Sequence, residues 1–241
     1  MSTDFTLDAY GALLDAFASR GYTPRGYEDA EPAQRHLVVR HDLDMSIAAA
    51  LPIAEAERAR NISATYFVLV RTEMYNPFSA EAVAGLRGLT ALGHMIGLHL
   101  DAALYSGRQA LEDGAAAECA SLESLLGVRV PVVSFHRPAR EFQGDARPIA
   151  GRPHAYQPRF FAEMGYCSDS RGRWAHGHPL EHKAVAEGRA LQLLTHPIWW
   201  QGQAAEPQAR LDRFLDTRLE TLDRELAANC DVYAAGRRRL K

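Results

Sequence analysis

Two carboxylates stand two residues apart in Arg40-His41-Asp42-Leu43-Asp44, just behind the apolar run Leu37-Val38-Val39. Side chains two apart on a strand share a face, so Asp42 and Asp44 project together. Neighbouring carboxylates repel, and both stay ionised only beside a cation or strong donors. A divalent metal held by one of them meets that need and leaves the other free as a base. Polar residues end other apolar runs in the same way: His99-Leu100-Asp101, Ser134-Phe135-His136-Arg137-Pro138 and Thr195-His196-Pro197. Each has a plainer role available. Asp42 or Asp44 could cap a following helix, and His99 could be a satisfied core histidine. His136 and Arg137 could pin the loop behind them, and His196 could be a turn residue before Pro197. Capping explains one acid rather than two, and packing alone does not explain four such tips together.

These tips need elements that bring them to one place. Six runs read as strands: His36–Arg40, Ala64–Val70, Met95–His99, Val130–His136, Tyr166–Asp169 and Leu191–Thr195. Helical patterns fall at Leu7–Ser19, Ser46–Arg60 with Ser46 as N-cap, Ser79–Leu92, Arg108–Leu126 and Leu211–Ala228. Strands separated by helices imply parallel βαβ units. An α/β fold of six or seven mainly parallel strands in a closed or nearly closed β/α barrel suits this pattern. An open doubly wound sheet is the alternative, and the lack of a dinucleotide fingerprint or phosphate-binding loop weighs against it. In either fold, ligands meet the C-terminal ends of the strands. The polar stretch Arg137–Arg159 reads as a long functional or mobile loop.

Composition narrows the function class. The 241 residues are 47% hydrophobic and 24% charged, which excludes a disordered or fibrous chain and allows one domain over residues 1–241. Lys plus Arg number 27 against 30 Asp plus Glu, so no basic excess points to nucleic acid, and the Arg237-Arg238-Arg239 tail reads as solvated. No run has the length of a membrane span, and the N-terminus has no basic, apolar leader pattern. Three scattered cysteines (Cys119, Cys167, Cys230) fit a reducing compartment, so the cytoplasm is the expected location. No Gly-x-Ser-x-Gly elbow suggests a serine hydrolase, and Cys167 lies in a strand-like run where a buried, inert thiol is expected.

Five segments follow one another as the motifs of the polysaccharide deacetylase superfamily (carbohydrate esterase family 4) do. They are His41-Asp42-Leu43-Asp44, Gly93-His94-Met95-Ile96-Gly97-Leu98-His99, Phe135-His136-Arg137-Pro138, Ser168-Asp169-Ser170-Arg171-Gly172-Arg173-Trp174 and Leu193-Leu194-Thr195-His196. The sequence most resembles divergent bacterial members linked to O-antigen and surface-polysaccharide biosynthesis. The motif-bearing core runs over about residues 36–200. The resemblance implies a distorted (β/α) barrel and a metal-dependent hydrolase that removes acetyl groups from an acetylated sugar or polysaccharide precursor. It implies Asp42 as base, Asp44 as aspartate ligand, His99 as first histidine ligand and His196 as general acid. Asp169 and Trp174 would line the pocket. The aromatic side chains of Trp174, Trp199, Trp200 and Tyr75 could stack on sugar faces, and Arg40 or Arg137 could hold Asp42.

One departure matters. The family places a second histidine ligand four residues after the first, and here that position is Ala103. Three protein ligands and an open position are usual for catalytic zinc. His136 and Asp101 are the candidate replacements, with His136 favoured because imidazole suits zinc. Zinc is the expected cofactor. The alternatives are a divergent, inactive sugar-binding barrel, or a metal-independent C–N hydrolase of the same superfamily. A rival metal site would use His176, His178 and His182, whose loop otherwise reads as a solvated segment or substrate lid.

Overall fold

The computed structural model describes residues 5–137 and 142–233. The Arg237–Arg239 tail and residues 138–141 of the expected loop lie outside them. The sheet contains β1 (Thr23–Pro24), β2 (His36–Leu43), β3 (Thr65–Leu69), β4 (Met95–Asp101), β5 (Val133–His136), β6 (Gly165–Ser168) and β7 (Leu191–Thr195). All pair in parallel in the order β5-β4-β3-β2-β7-β6, with the two-residue β1 beside β2. The six longer strands curl into a distorted β/α half-barrel. Helices α1 (Leu7–Ser19), α2 (Leu51–Arg58), α3 (Ala80–Ala91), α4 (Arg108–Leu126), α5 (Lys183–Ala186) and α6 (Pro207–Asn229) complete the fold. Thr6 and Ser79 begin α1 and α3 by accepting from Ala9 N and Ala82 N, each at 3.2 Å.

Several boundaries differ from expectation. β2 runs on to Leu43 and β4 to Asp101, so Asp42 and Asp101 join Arg40 and His99 within the strands rather than lying in the loops after them. Polar side chains survive there because the barrel interior supplies partners for them. Ser46 accepts from Ala49 N at 3.2 Å and caps a 3-10 turn at Ala48–Ala50, with α2 following. The segment after β5 is less irregular than expected: Val133 N donates to Pro153 O and Ala155 N to Val133 O, which covers β5's open edge.

Alternation on β2 sorts two environments. Arg40 and Asp42 face the interior with Phe67 and Gln192, while His41 faces the helices. Phe67 reaches that interior because β4 carries Gly97: a Cβ there would stand 2.5 Å from the Phe67 ring. On the helix side, Glu57 of α2 is fully buried. It accepts from Tyr10 and Tyr66 hydroxyls at 2.5 and 2.6 Å and pairs with His41 Nε2 at 2.6 Å. The other His41 nitrogen bonds Thr195 at 2.7 Å, so this network ties α1, α2, β2, β3 and β7 directly behind the polar strand tips. Burial would raise the Glu57 carboxyl, but the His41 charge and these hydrogen bonds hold it below the ordinary glutamate range. Its stabilisation is therefore present above that range and is lost as pH falls through the folded value. Glu57→Gln is expected to cost about 3 kcal/mol, because it breaks a buried pair while leaving its partner in place. The check is a fall in thermal midpoint of roughly 6–12 °C. An unchanged midpoint would contradict it.

Candidate metal centre and active-site pocket

The tips of β2, β4, β5 and β7 meet at a cleft of about 450 Å³. Asp42, Asp44, His99, His136 and His196 line its polar side. Phe135, Tyr156, Tyr166, Leu194, Ile198 and Trp199 add apolar and aromatic surface.

Asp42 is held from the interior. Arg40 forks onto it, Nε to Oδ1 and Nη2 to Oδ2, each at 2.8 Å, and both residues are buried. Arg40 is itself sandwiched between Phe67 and Tyr156, at 5.3 and 5.0 Å from the ring centroids. Burial would raise the Asp42 carboxyl, but the guanidinium, followed by His99, keeps it below the ordinary range. Asp42 is thus an ionised carboxylate with lone pairs left to accept a proton.

Asp44 lies beside two imidazoles. His99 Nε2 is 3.0 Å and His136 Nδ1 3.3 Å from Asp44 Oδ1, and the three ligand atoms lie within 4.8 Å of one another. Asp44 Oδ1 is nevertheless buried with no hydrogen bond. A buried oxygen left orphaned among converging ring nitrogens suits a divalent cation, and two imidazoles with a carboxylate are a zinc-type donor set. Ser134 Oγ meets His99 Nδ1 at 2.7 Å and orients the ring so that Nε2 faces Asp44. Among the described residues, these three are the group of His, Cys, Asp and Glu able to converge on one ion.

His196 closes the other side. Its Nε2 is 3.7 Å from Asp44 Oδ2, and its Nδ1 meets Asp169 Oδ1 at 2.6 Å. Asp169 is fully buried and also accepts from His196 N and from Trp200 Nε1, the latter at 2.7 Å. Burial would lower the His196 pKa, but the Asp169 charge and hydrogen bond, aided by Asp44 and Asp42, raise it to about 9. At neutral pH His196 is an imidazolium aimed into the cleft.

Other expected site residues stand elsewhere. Asp101 caps Ala103 N at 3.2 Å and pairs with Arg137, so it does not join the Asp44 group. Arg137 lines the cleft but bonds Asp101, which leaves Arg40 alone to hold Asp42. The Tyr75 hydroxyl donates to Leu43 O at 2.6 Å and accepts from Leu69 N at 3.0 Å, making it a strut between strand ends rather than a sugar platform. Trp174 packs on Phe5 and Trp200, with centroids 5.6 and 6.1 Å away, outside the cleft lining, because its loop turns back onto the aromatic cluster. Asp169 lies behind His196 rather than on the pocket wall. In the rival loop, His178 and His182 use Nδ1 to cap Leu180 N and Ala184 N, at 3.3 and 3.1 Å. Cys167 is buried and its thiol is pushed up to about 12, which suits an inert core residue.

Sequence reasoning did not single out Ser134, Glu57 or the cleft tyrosines. Ser134 precedes His136 by two and so shares its strand face, a usable signal. Glu57 falls on the buried stripe of α2 with Ile53 and Ala54, where an acid needs partners.

A comparison with protein-family models and with curated proteins finds no match. Among solved structures, the chain is similar to a Streptococcus pyogenes deacetylase in complex with acetate, at 11% identity over 78% of this chain and 80% of that one, TM-score 0.44. It is similar to a CE4 family pseudoenzyme from Bacillus anthracis, at 12% identity over 79% of this chain and 63% of that one, TM-score 0.43. It is also similar to the chitin deacetylase of the fungal pathogen Colletotrichum lindemuthianum, at 14% identity over 81% and 86%, TM-score 0.44.

Proposed function

We propose that this protein is a metal-dependent hydrolase that removes acetyl groups from an acetylated sugar, with one divalent cation, zinc by preference, on Asp44, His99 and His136. The observation that carries this is the buried, unbonded Asp44 Oδ1 facing two imidazole nitrogens beside an independently held carboxylate. A cation bound there would polarise the acetyl carbonyl and acidify water. Arg40 keeps Asp42 ionised and fixed, so Asp42 takes the proton of the attacking water. His196 Nε2, on the opposite side, hands a proton to the departing amine or alkoxide, and Asp169 at Nδ1 keeps it charged and aligned until then. Phe135, Tyr156, Tyr166 and Trp199 give the sugar apolar and aromatic faces.

The motif resemblance extends the proposal to a precursor of surface polysaccharide, O-antigen-like in kind. The three free cysteines support work in a reducing compartment, the cytoplasm. No helix among the described residues is long and apolar enough to cross a membrane.

The test is acetate release from N-acetylated and O-acetylated sugar oligomers before and after chelation. Chelation is expected to stop release and added zinc to restore it. Undiminished release from metal-free protein would replace this mechanism with a metal-independent hydrolysis of the C–N bond.

A second test concerns His196. As an acid it works while protonated, so kcat is expected to fall as pH rises through about 9. Asp169→Asn removes the main cause of the raised value and is expected to move that alkaline limb to lower pH. A limb that stays in place in a kcat–pH profile would remove His196 from the acid role.

A further inference from the structure

We propose that the sugar taken by this cleft carries an acidic group, a carboxylate or a phosphate, which Arg171 binds at the pocket mouth; the inference rests on the deacetylase reading above and deepens it. Charge around the cleft is otherwise accounted for. Asp42 is matched by Arg40, Asp169 by His196 and Asp101 by Arg137, while Asp44 faces His99 and His136 in the proposed metal group. Among the described residues that line the cleft, Arg171 is the one charged side chain with no hydrogen bond or ion pair to the protein.

Its position is built rather than incidental. Arg171 holds a left-handed backbone, φ 64° and ψ 26°, a conformation that non-glycine residues adopt at a cost and that clusters at functional sites. The turn that imposes it is pinned on both sides. Gly172 N and Arg173 N donate to Asp169 O at 2.9 and 3.2 Å, and Ser170 N donates to Ser168 Oγ at 3.1 Å. Gly172 is itself left-handed, at φ 68°, and buried, with a hypothetical Cβ 2.9 Å from Pro207. Asp169, which aligns the proton donor His196, is thus also the anchor of the turn that presents Arg171. A group bound by Arg171 is held in fixed register with the reacting bond.

The chemistry follows from the side chain. A guanidinium is a permanent cation with a planar fork that matches a carboxylate or phosphate in two parallel hydrogen bonds. A neutral sugar would leave that fork to water. Arg137, with φ 52°, also lines the cleft, but its charge is offset by Asp101, so Arg171 is the guanidinium left to meet an anion.

The test uses N-acetylglucosamine as the neutral probe against its 6-carboxylate, 6-phosphate and 1-phosphate counterparts. The acidic sugars are expected to have kcat/KM roughly 10-fold or more above the neutral one, the scale of a charged hydrogen-bonded contact. That ratio is expected to fall toward one in Arg171→Gln, to be partly kept in Arg171→Lys, and to shrink with added salt. Whether the carboxylate or a phosphate gains more identifies the acidic group. Calorimetric binding of glucuronate and glucose 6-phosphate against glucose gives a readout that needs no turnover. Acid-selective binding lost in Arg171→Gln supports the inference even where no acetate is released, a result that would count against the deacetylase reading alone. Acetate release with equal kcat/KM for acidic and neutral sugars, or an acid preference that survives in Arg171→Gln, overturns it and leaves that reading standing.

Discussion

Asp42→Asn is expected to lower kcat by roughly 10²–10⁴-fold, the usual contribution of a positioned general base, while bound metal stays at the wild-type level. The amide keeps the shape of the side chain but has no basic oxygen for the proton of the attacking water. Asp42 is separable from the ion because its oxygens face Arg40 at 2.8 Å, whereas His99 stands 3.5 Å from Asp42 and 3.0 Å from Asp44. The same substitution strips a buried guanidinium of its counter-charge and is expected to cost about 3–5 kcal/mol of stability. Tyr156 and Gln192, at 3.3 and 3.4 Å, are among the polar contacts that remain to Arg40. Turnover is therefore compared below the variant's own unfolding midpoint. Wild-type turnover in Asp42→Asn would remove the base assignment.

His136→Ala is expected to have the other large effect, loss of both metal and activity in a protein that still folds. Of the two histidines in the proposed metal group, His136 does less structural work. Its side chain is 23% exposed, whereas that of His99 is 2% exposed and bonded to Ser134. Removing an outer-shell partner already costs about 10–100-fold in metal affinity, so loss of a ligand should exceed 100-fold. Metal affinity is measured by competition with a chromogenic chelator, and folding by the thermal midpoint. Unchanged metal affinity would return the third-ligand position to another group.

Much of the candidate site was legible because its polar residues lie in short local patterns. The spacing of Asp42 and Asp44 announced a shared face, and the polar ends of four apolar runs marked the strand tips that meet at the cleft. Strand lengths were less legible: parallel strands covered on both sides carry no solvent-facing period, so Asp42 and Asp101 read as loop residues although they pair within the sheet. The two-residue β1 contains a proline and has no pattern to detect. Arg40 and Arg137 were equal candidates to hold Asp42. Register decides for Arg40, two residues away on the same face, while the left-handed Arg137 reaches Asp101. Tyr75 and Trp174 show the limit of residue type: an aromatic ring can stack on a sugar or brace a strand end, and only tertiary contacts decide.

Asp44, His99 and His136 are proposed to share one cation. Anomalous diffraction recorded on both sides of the zinc absorption edge, from crystals grown with zinc, tests it most directly. One strong peak is expected, bonded to an Asp44 oxygen, His99 Nε2 and His136 Nδ1 at about 2.0–2.2 Å. A peak seated instead among His176, His178 and His182, or no peak at the Asp44 group, would contradict it.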